Sequence, residues 1–152
     1  MNNKQNTGNI GLFYACYRLS MYGWNVLPTI RNARGADIFL AKGNKKLGIQ
    51  VKALSGEADI FLGNNYDDPS VDFWIVLMNL RNADKPREYI IPSEAIVQGV
   101  KKCEHGENSP ENLIYHDAVK ADGFIRYYIN KKYLKNATHS HAGAWQSIGK
   151  NV

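Results

Sequence analysis

The stretch GADIFLAKGNKKLGIQVK, residues 35–52, decides the fold because its pattern predicts a β-hairpin. Apolar residues alternate with polar ones on both sides of Gly43-Asn44, as in two antiparallel strands joined by a two-residue turn. Such a turn fixes the register, and Asp37 then lies opposite Gln50. Lys52, two residues beyond Gln50, points to the same side of the sheet.

The predicted hairpin has one apolar face and one polar face. Directly opposed residues of an antiparallel pair point to the same side, with Cβ atoms roughly 5 Å apart. A carboxylate, an amide and an ammonium group therefore converge on the polar face, which a sheet built only for packing does not require. An ion pair with an amide contact, serving structure alone, is the alternative. The residues expected on the core face are Ile38, Leu40, Leu47, Ile49 and Val51.

The three polar residues suit the hydrolysis of a phosphodiester. The Asp37 carboxylate and the Gln50 amide oxygen are hard oxygen donors, which Mg²⁺ or Mn²⁺ prefers. A metal held there would polarise the phosphate, and Lys52 could orient or deprotonate the attacking water. We therefore predict that Asp37, Gln50 and Lys52 are catalytic and that Asp37 and Gln50 bind the metal.

The motif Asp-x(12)-Gln-x-Lys on a hairpin resembles the PD-(D/E)XK nuclease superfamily, which has the restriction-endonuclease-like fold. The rest of the chain looks like a small stand-alone branch of that superfamily. The resemblance implies a three-layer α/β core, with a mixed β-sheet flanked by helices, and a metal-dependent deoxyribonuclease activity. The further segments that carry it are Gly8-x-x-Gly11, Gly23-Trp24, Pro28-Thr29, Arg31-Asn32-x-x-Gly35-Ala36-Asp37, Val71-Asp72-Phe73-Trp74 and Ala144-Trp145.

Two positions depart from the superfamily pattern. Its third motif position is usually Asp or Glu, whereas this chain has Gln50, which removes one negative charge and should weaken metal binding. Related nucleases often carry a Glu on the first helix just after the second glycine, where this chain has Leu12. The runner-up hypothesis is therefore a catalytically inactive copy that binds nucleic acid or a protein partner. A structural interaction module is a third alternative.

The charge distribution favours a polyanionic partner. The sequence has 19 Lys and Arg against 14 Asp and Glu, a formal net charge of +5, and no acidic residue precedes Asp37. Arg31 and Arg34 come directly before the Asp37 strand, where they could contact phosphates that flank the cut. An ordinary basic surface explains the net charge equally well. We predict DNA as the partner, and a homodimer is left open.

The sequence also predicts one cytoplasmic domain over residues 1–152, with residues 1–7 as a mobile tail. The 44% hydrophobic content is typical of a globular chain. Two cysteines fit a reducing compartment, and we see neither a signal peptide nor a run of about 20 apolar residues that would span a membrane. We accordingly expect no membrane partner.

Periodicity predicts a helix, three strands, a further strand, a helix and more strands, in that order. The first helix is expected over residues 10–22, with an apolar stripe through much of its circumference. Residues 71–78 form an unbroken apolar run and predict a central strand buried on both faces. We expect residues 54–70 to be a polar loop. The stripe consists of Ile10, Phe13, Tyr14, Tyr17 and Met21, and it is widened by Leu12, Ala15, Cys16 and Leu19.

Other polar groups are weaker candidates. Cys103-x-His105 and His139-x-His141 match no closed zinc pattern and are predicted to be solvated loop residues. Glu57 and Asp59 follow Lys52 and could supply a missing carboxylate, but a solvated loop pair is the preferred interpretation. Trp74 and Trp145 are predicted to be core residues rather than base-stacking platforms.

Overall fold

The central sheet has the predicted hairpin near its middle. The computed structural model describes residues 3–29, 35–81, 85–136 and 141–150. Within these ranges the strands are β1 Asn25–Pro28, β2 Ile38–Lys42, β3 Lys45–Ala53, β4 Ile60–Phe61, β5 Phe73–Met78, β6 Arg87–Pro92, β7 Ile114–His116 and β8 Tyr127–Ile129. Five of them form a sheet in the order β1-β2-β3-β5-β6. The β3–β5 pair is parallel and its other neighbours are antiparallel, so the sheet is mixed.

Helices and a second sheet cover the two faces of the central sheet. The helices are α1 Asn3–Met21, α2 Ser93–Glu104 and α3 Lys131–Lys135, with a 3-10 turn at Trp145–Ser147. The small sheet has the order β4-β8-β7. Helix α1 packs with one apolar cluster, whereas α2 and the small sheet pack with another. The predicted α/β class, a mixed sheet flanked by helices, is confirmed.

Strand β5 joins the two clusters because its side chains alternate between the faces of the sheet. Phe73, Ile75 and Leu77 belong to the α1 cluster, whereas Trp74 and Val76 belong to the α2 cluster. All six residues of the strand are buried. The prediction of a central strand buried on both faces is confirmed.

The hairpin register is also as predicted. Ile38 pairs with Ile49 and Leu40 with Leu47 across β2 and β3. These four side chains are buried in the α1 cluster. The turn at Gly43, whose φ of 58° is left-handed, places them there by fixing the pairing.

The buried face of helix α1 consists of Gly11 and two residues that widen the predicted stripe, whereas four residues of the stripe itself are exposed, against the prediction. Its buried residues are Gly11, Ala15 and Leu19. A Cβ added to Gly11 would lie 2.2 Å from the Cβ of Ala53, so glycine allows the helix backbone to approach β3 closely. This close approach turns the bulky side chains outward. The members of the predicted stripe that are exposed, by 54% to 68%, are Ile10, Phe13, Tyr17 and Met21.

Several element boundaries also differ from the sequence prediction. Asn3–Thr7 belong to α1 and are not a tail, and the predicted loop at 54–70 contributes β4 to the small sheet. Helix α3 was not predicted. None of the helices in the described ranges is long and apolar enough to cross a membrane. The cytoplasmic location stays a prediction.

Candidate active site

Asp37, Gln50 and Lys52 are placed by the main chain of the hairpin. The Asp37 N–H donates to the Ile49 carbonyl at 2.8 Å, which extends the β2–β3 ladder by one residue. The Asp37 carbonyl accepts from the Thr29 N–H, also at 2.8 Å. Asp37 is therefore fixed between the neighbouring strands. Gln50 and Lys52 alternate along β3 with side chains of the α1 cluster and so lie on the opposite face of the sheet.

The Asp37 carboxylate and the Gln50 amide are in direct contact. Gln50 Nε2 donates to Asp37 Oδ2 at 2.6 Å, and the Val51 N–H donates to the same oxygen at 2.8 Å. Asp37 therefore faces Gln50, as the register predicted. Within the described residues, both hydrogen bonds to this carboxylate go to Oδ2. Because Gln50 donates through its NH₂ group, its carbonyl oxygen Oε1 is turned away from that oxygen.

The carboxylate of Asp37 is poorly compensated. Burial raises its pKa above the ordinary value, while the Val51 N–H and the positive charge of Lys52 lower it. Burial is the largest of these effects, so the net pKa is raised. A desolvated carboxylate favours a proton or an added cation.

The Lys52 ammonium lies over the ring of Trp74. Nζ is 5.7 Å from the ring centroid, which is a cation–π distance. Trp74 pairs with Gln50 across the parallel β3–β5 ladder and is 3% exposed, so the core prediction for this residue is confirmed. Its Nε1 is buried and has no hydrogen-bond partner in the described structure. Sequence reasoning missed Trp74 as a neighbour of the site, because only the pairing of two distant strands brings it there.

A loop carrying a second carboxylate lies beside the segment that leads into Asp37. Gly35 has a left-handed φ of 98°, and a Cβ at this position would lie 2.8 Å from Ser70 Oγ and 3.9 Å from Asp68 Oδ2. Asp68 Oδ1 accepts from the Ser70 hydroxyl at 2.6 Å and the Ser70 N–H at 2.8 Å. These two bonds lower the pKa of Asp68. The sequence offered no local signal for Asp68 because the contact spans 33 residues of chain.

Glu57 holds three other segments together, so the solvated-loop interpretation was wrong for it. It accepts from Asn79 Nδ2 at 2.9 Å and from Lys135 Nζ at 2.6 Å. Its Oε1 is also 3.3 Å from Arg87 Nε. The hydrogen bonds from Lys135 and Asn79 lower its pKa.

Asp59 likewise serves a packing contact. It accepts from the Tyr115 hydroxyl and, at 2.8 Å, from the Lys131 N–H. Burial, followed by this contact, raises the pKa of the Tyr115 hydroxyl. Asp59 is thus tied to the small sheet and to the start of α3. The contacts of Glu57 and Asp59 leave neither as a ready supplier of a missing carboxylate.

The prediction of solvated loop residues was wrong for Cys103, which is buried in α2. Cys103 Sγ donates to the Ile114 carbonyl at 3.4 Å, and His105 Nδ1 is 2.6 Å from the Lys101 carbonyl. His141 Nδ1 is 3.1 Å from the Ile90 carbonyl. Among the residues that the structure describes, no group of three or more His, Cys, Asp or Glu could hold a metal.

Three sequence predictions fall on residues outside the described ranges. Arg31 and Arg34, the proposed phosphate contacts, lie in the gap before Gly35. His139, of the second proposed pair, lies in the gap before His141. Their roles stay predictions.

Comparisons with known proteins include a likeness to a solved structure. No protein-family model and no curated protein matches the chain. The solved structure of a bacterial homing endonuclease, I-Ssp6803I, is similar to this one with a TM-score of 0.49 and 20% sequence identity. The match covers 64% of this chain and 70% of the endonuclease chain.

Proposed function

We propose that this protein hydrolyses phosphodiester bonds of DNA with a divalent cation, Mg²⁺ or Mn²⁺. The observation that carries the proposal is the contact of the Gln50 amide with the Asp37 carboxylate, on the sheet face that also carries Lys52. A PD-(D/E)XK-type site carries its Asp, a second acidic residue and its Lys on such a hairpin, and in this chain Gln50 stands at the position of the second acidic residue. Asp37 and Gln50 are the metal ligands and Lys52 acts on the attacking water.

The donor chemistry of the site fits such a cation. Asp37 Oδ2 already accepts two hydrogen bonds, whereas Oδ1 accepts none from a described residue. Rotation of the Gln50 amide would bring its Oε1 toward the carboxylate in place of the NH₂ group. Mg²⁺ commonly uses one or two carboxylates and keeps several waters, so this small set of ligands is sufficient. When bound, the cation would polarise the scissile phosphate.

Lys52 supplies positive charge beside the Asp37 carboxylate. Its charge lowers the pKa of Asp37, which is a sign of its proximity. The Trp74 ring holds the ammonium group from one side. Lys52 donates hydrogen bonds to the attacking water and to the negative charge that develops on the phosphate.

DNA is the proposed substrate because the chain has a net charge of +5 and two arginines come directly before the Asp37 strand in the sequence. Arg31 and Arg34 are proposed to contact phosphates on either side of the cut, since they precede Asp37 directly. Such contacts hold the strand in position without reading its sequence. Binding should therefore weaken steeply as the salt concentration rises.

The test is cleavage of supercoiled plasmid and of a single-stranded oligonucleotide with Mg²⁺ or Mn²⁺. Lys52→Ala should lower the rate by about 100-fold or more, while DNA binding stays largely intact. Lys46→Ala is the matched control, because Lys46 lies on the same strand and face but at the far, exposed end. Equal rates for the wild type and Lys52→Ala would assign any cleavage to another site or a contaminant.

A binding module without catalysis is the second candidate. It is favoured by the orientation of the Gln50 amide, which gives Asp37 a donor rather than a second oxygen ligand. It is also favoured because the described residues contain no group of three His, Cys, Asp or Glu that could hold a metal ion. DNA binding with no cleavage by the wild type or by Gln50→Glu would select this candidate. A failure to bind DNA even at low salt would leave only a structural interaction module.

A further inference from the structure

We propose that a groove at the start of β6 binds backbone phosphates of the DNA strand at a distance from the cleavage site. This inference rests on the proposed function for its ligand, but it does not require catalysis. The groove has a volume of about 570 Å³ and is named the β6 groove here. The charged side chains that line it are Arg18, Lys85, Arg87, Glu88 and Lys135.

The acidic residue that lines the β6 groove is Glu88, and its carboxylate is bound by other groups of the protein. Glu88 is 8% exposed at its side chain. It accepts hydrogen bonds from the Tyr14 hydroxyl and, at 2.7 Å, from Trp145 Nε1. Arg18 Nε lies 3.4 Å from the same carboxylate. Glu88 therefore offsets only one of the four positive charges that line the groove.

Two aromatic rings hold the guanidinium group of Arg18 in place and leave its terminal N–H groups available to a ligand. Its guanidinium carbon is 5.2 Å from the Trp145 ring and 5.9 Å from the Tyr22 ring. The guanidinium group makes no hydrogen bond to a described residue, and its Nε is buried without a hydrogen-bond partner. A stacked guanidinium with free N–H groups matches the oxygens of a phosphate and loses little freedom on binding.

Lys85 and Arg87 also line the groove with positive charge. Lys85 is exposed and pairs with no carboxylate of the described residues. Arg87 shares the Glu57 carboxylate with Lys135, so two cations compete for one anion. Among the described residues, the groove has more positive charge than its carboxylates neutralise, and a phosphate entering it meets this excess.

The β6 groove lies at the same end of the sheet as the candidate active site. Lys52 is in register with Val76, Val76 with Tyr89, and Met78 with Arg87. Arg87 is thus two strands across and two residues along from Lys52, on the same face, which places their Cα atoms about 12 Å apart. The Arg87 side of the groove therefore lies within reach of a DNA strand that is cut at Lys52.

The test compares two double variants that each remove two positive charges. Lys85→Gln with Arg87→Gln alters exposed residues of the groove. Lys46→Gln with Lys150→Gln is the matched control. Lys46 lies at the start of β3, and Lys150 follows Gly149, which contacts Trp24 and Leu47 near the hairpin turn. Binding of a short labelled duplex is measured without divalent metal over a series of salt concentrations.

The groove variant should bind DNA about tenfold or more weakly at low salt, and its plot of log affinity against log salt should be less steep by about 2. The control should keep most of the wild-type slope. Equal slopes for the two variants would overturn the groove proposal, as would a wild type that binds no DNA. A groove effect without plasmid cleavage would support the groove while removing the catalytic proposal.

A second arm separates a DNA strand from free phosphate. Calorimetry with inorganic phosphate alone should detect only weak binding to the wild type. Tight binding of inorganic phosphate that the groove variant loses, with an unchanged DNA salt slope, would assign the groove to a free anion and overturn the proposal.

Discussion

Asp37 and Glu88 are two carboxylates of the same sheet that are held in opposite ways. Glu88 accepts from the Tyr14 hydroxyl at one oxygen and from Trp145 Nε1 at the other, with Arg18 3.4 Å away. Burial, followed by the hydrogen bond to Glu88, raises the pKa of Tyr14 to about 12, so this donor stays protonated. Asp37 accepts only from neutral groups of the described residues, both at one oxygen.

This difference distinguishes a carboxylate that holds the fold from one suited to bind a cation. Glu88 joins α1, β6 and the 3-10 turn, and its charge is balanced within the protein. Asp37 has a raised pKa because burial outweighs its donors and the charge of Lys52. We infer that the role of Asp37 is to bind a ligand, whereas the role of Glu88 is to stabilise the fold.

The largest expected effect is on stability and falls on Glu88. Glu88→Ala should lower the free energy of unfolding by about 3 kcal/mol, because it leaves the Tyr14 and Trp145 donors without an acceptor and the Arg18 guanidinium group without its partner charge. Asp37→Ala should cost about 1 kcal/mol or less, since only two neutral donors lose a partner. Urea denaturation measures both. Equal losses of unfolding free energy would mean that Asp37 also stabilises the fold, and the two carboxylates would then not differ in role.

Gln50→Glu should produce the next largest effect, by adding the missing negative charge. The apo protein should lose about 1 kcal/mol of stability, because the new carboxylate faces Asp37 and raises the pKa of one or both. Mn²⁺ should bind on the order of tenfold more tightly and restore the lost stability. Thermal unfolding with and without Mn²⁺, together with calorimetry, gives both quantities.

The control for Gln50→Glu has the same chemistry at an exposed position. Gln98 Nε2 donates to Glu94 Oε1 at 2.6 Å on the surface of α2. Gln98→Glu therefore also replaces an amide–carboxylate contact by two carboxylates. It should neither bind Mn²⁺ measurably nor change stability by more than about 0.5 kcal/mol. Mn²⁺ binding by both variants would show that any carboxylate pair suffices, against a special role for the hairpin.

The hairpin and its polar face could be predicted from sequence because local chemistry determines them. Gly43-Asn44 sets the turn, the turn sets the register, and the register brings Asp37 to Gln50. No long-range information is needed for these steps. Trp74 and Asp68, in contrast, reach the site through strand pairing and loop packing over long stretches of chain, which a local pattern does not encode.

Helix α1 shows the limit of periodicity. Its bulky stripe predicted a buried face, but the close approach of Gly11 to Ala53 makes the small-residue face the one that packs. A hydrophobic pattern gives the size of side chains and not the distance between backbones. The small sheet was missed for a related reason, because β4 has only two residues and its partner β8 is distant in sequence.

A smaller effect is expected for Asp37→Asn, and it should depend on pH. The asparagine oxygen can take the place of Oδ2 and keep both hydrogen bonds while removing the buried charge. Since the folded pKa of Asp37 is raised above 3.8, the wild type loses stability as pH rises from 3.8 through that folded pKa. Asp37→Asn should therefore be the more stable protein at pH 7 and lose this advantage on acidification.

Thermal unfolding from neutral to acidic pH measures the Asp37→Asn effect. Mg²⁺ should stabilise the wild type and leave Asp37→Asn unchanged, since the variant lacks the charged ligand. A variant that is less stable than the wild type at neutral pH would indicate that the carboxylate is balanced after all. It would then resemble Glu88, and the contrast between the two carboxylates would be lost.

A further effect separates the two tryptophans that accompany these carboxylates. Trp145 Nε1 donates to Glu88, whereas Trp74 Nε1 is buried without a partner. Trp145→Phe should cost about 1–2 kcal/mol more than Trp74→Phe, because only the first breaks a hydrogen bond to a charged acceptor.

Trp74→Phe retains a ring under Lys52, although it binds the cation more weakly, so kcat for plasmid cleavage should fall only a few-fold with KM unchanged. Trp74→Leu removes the ring and should lower kcat further, again without a change in KM. The two variants are compared at equal folded fractions, so a loss of stability alone would not make their kcat values differ. If Trp74→Phe and Trp74→Leu then have the same kcat, Trp74 belongs only to the core and does not position Lys52.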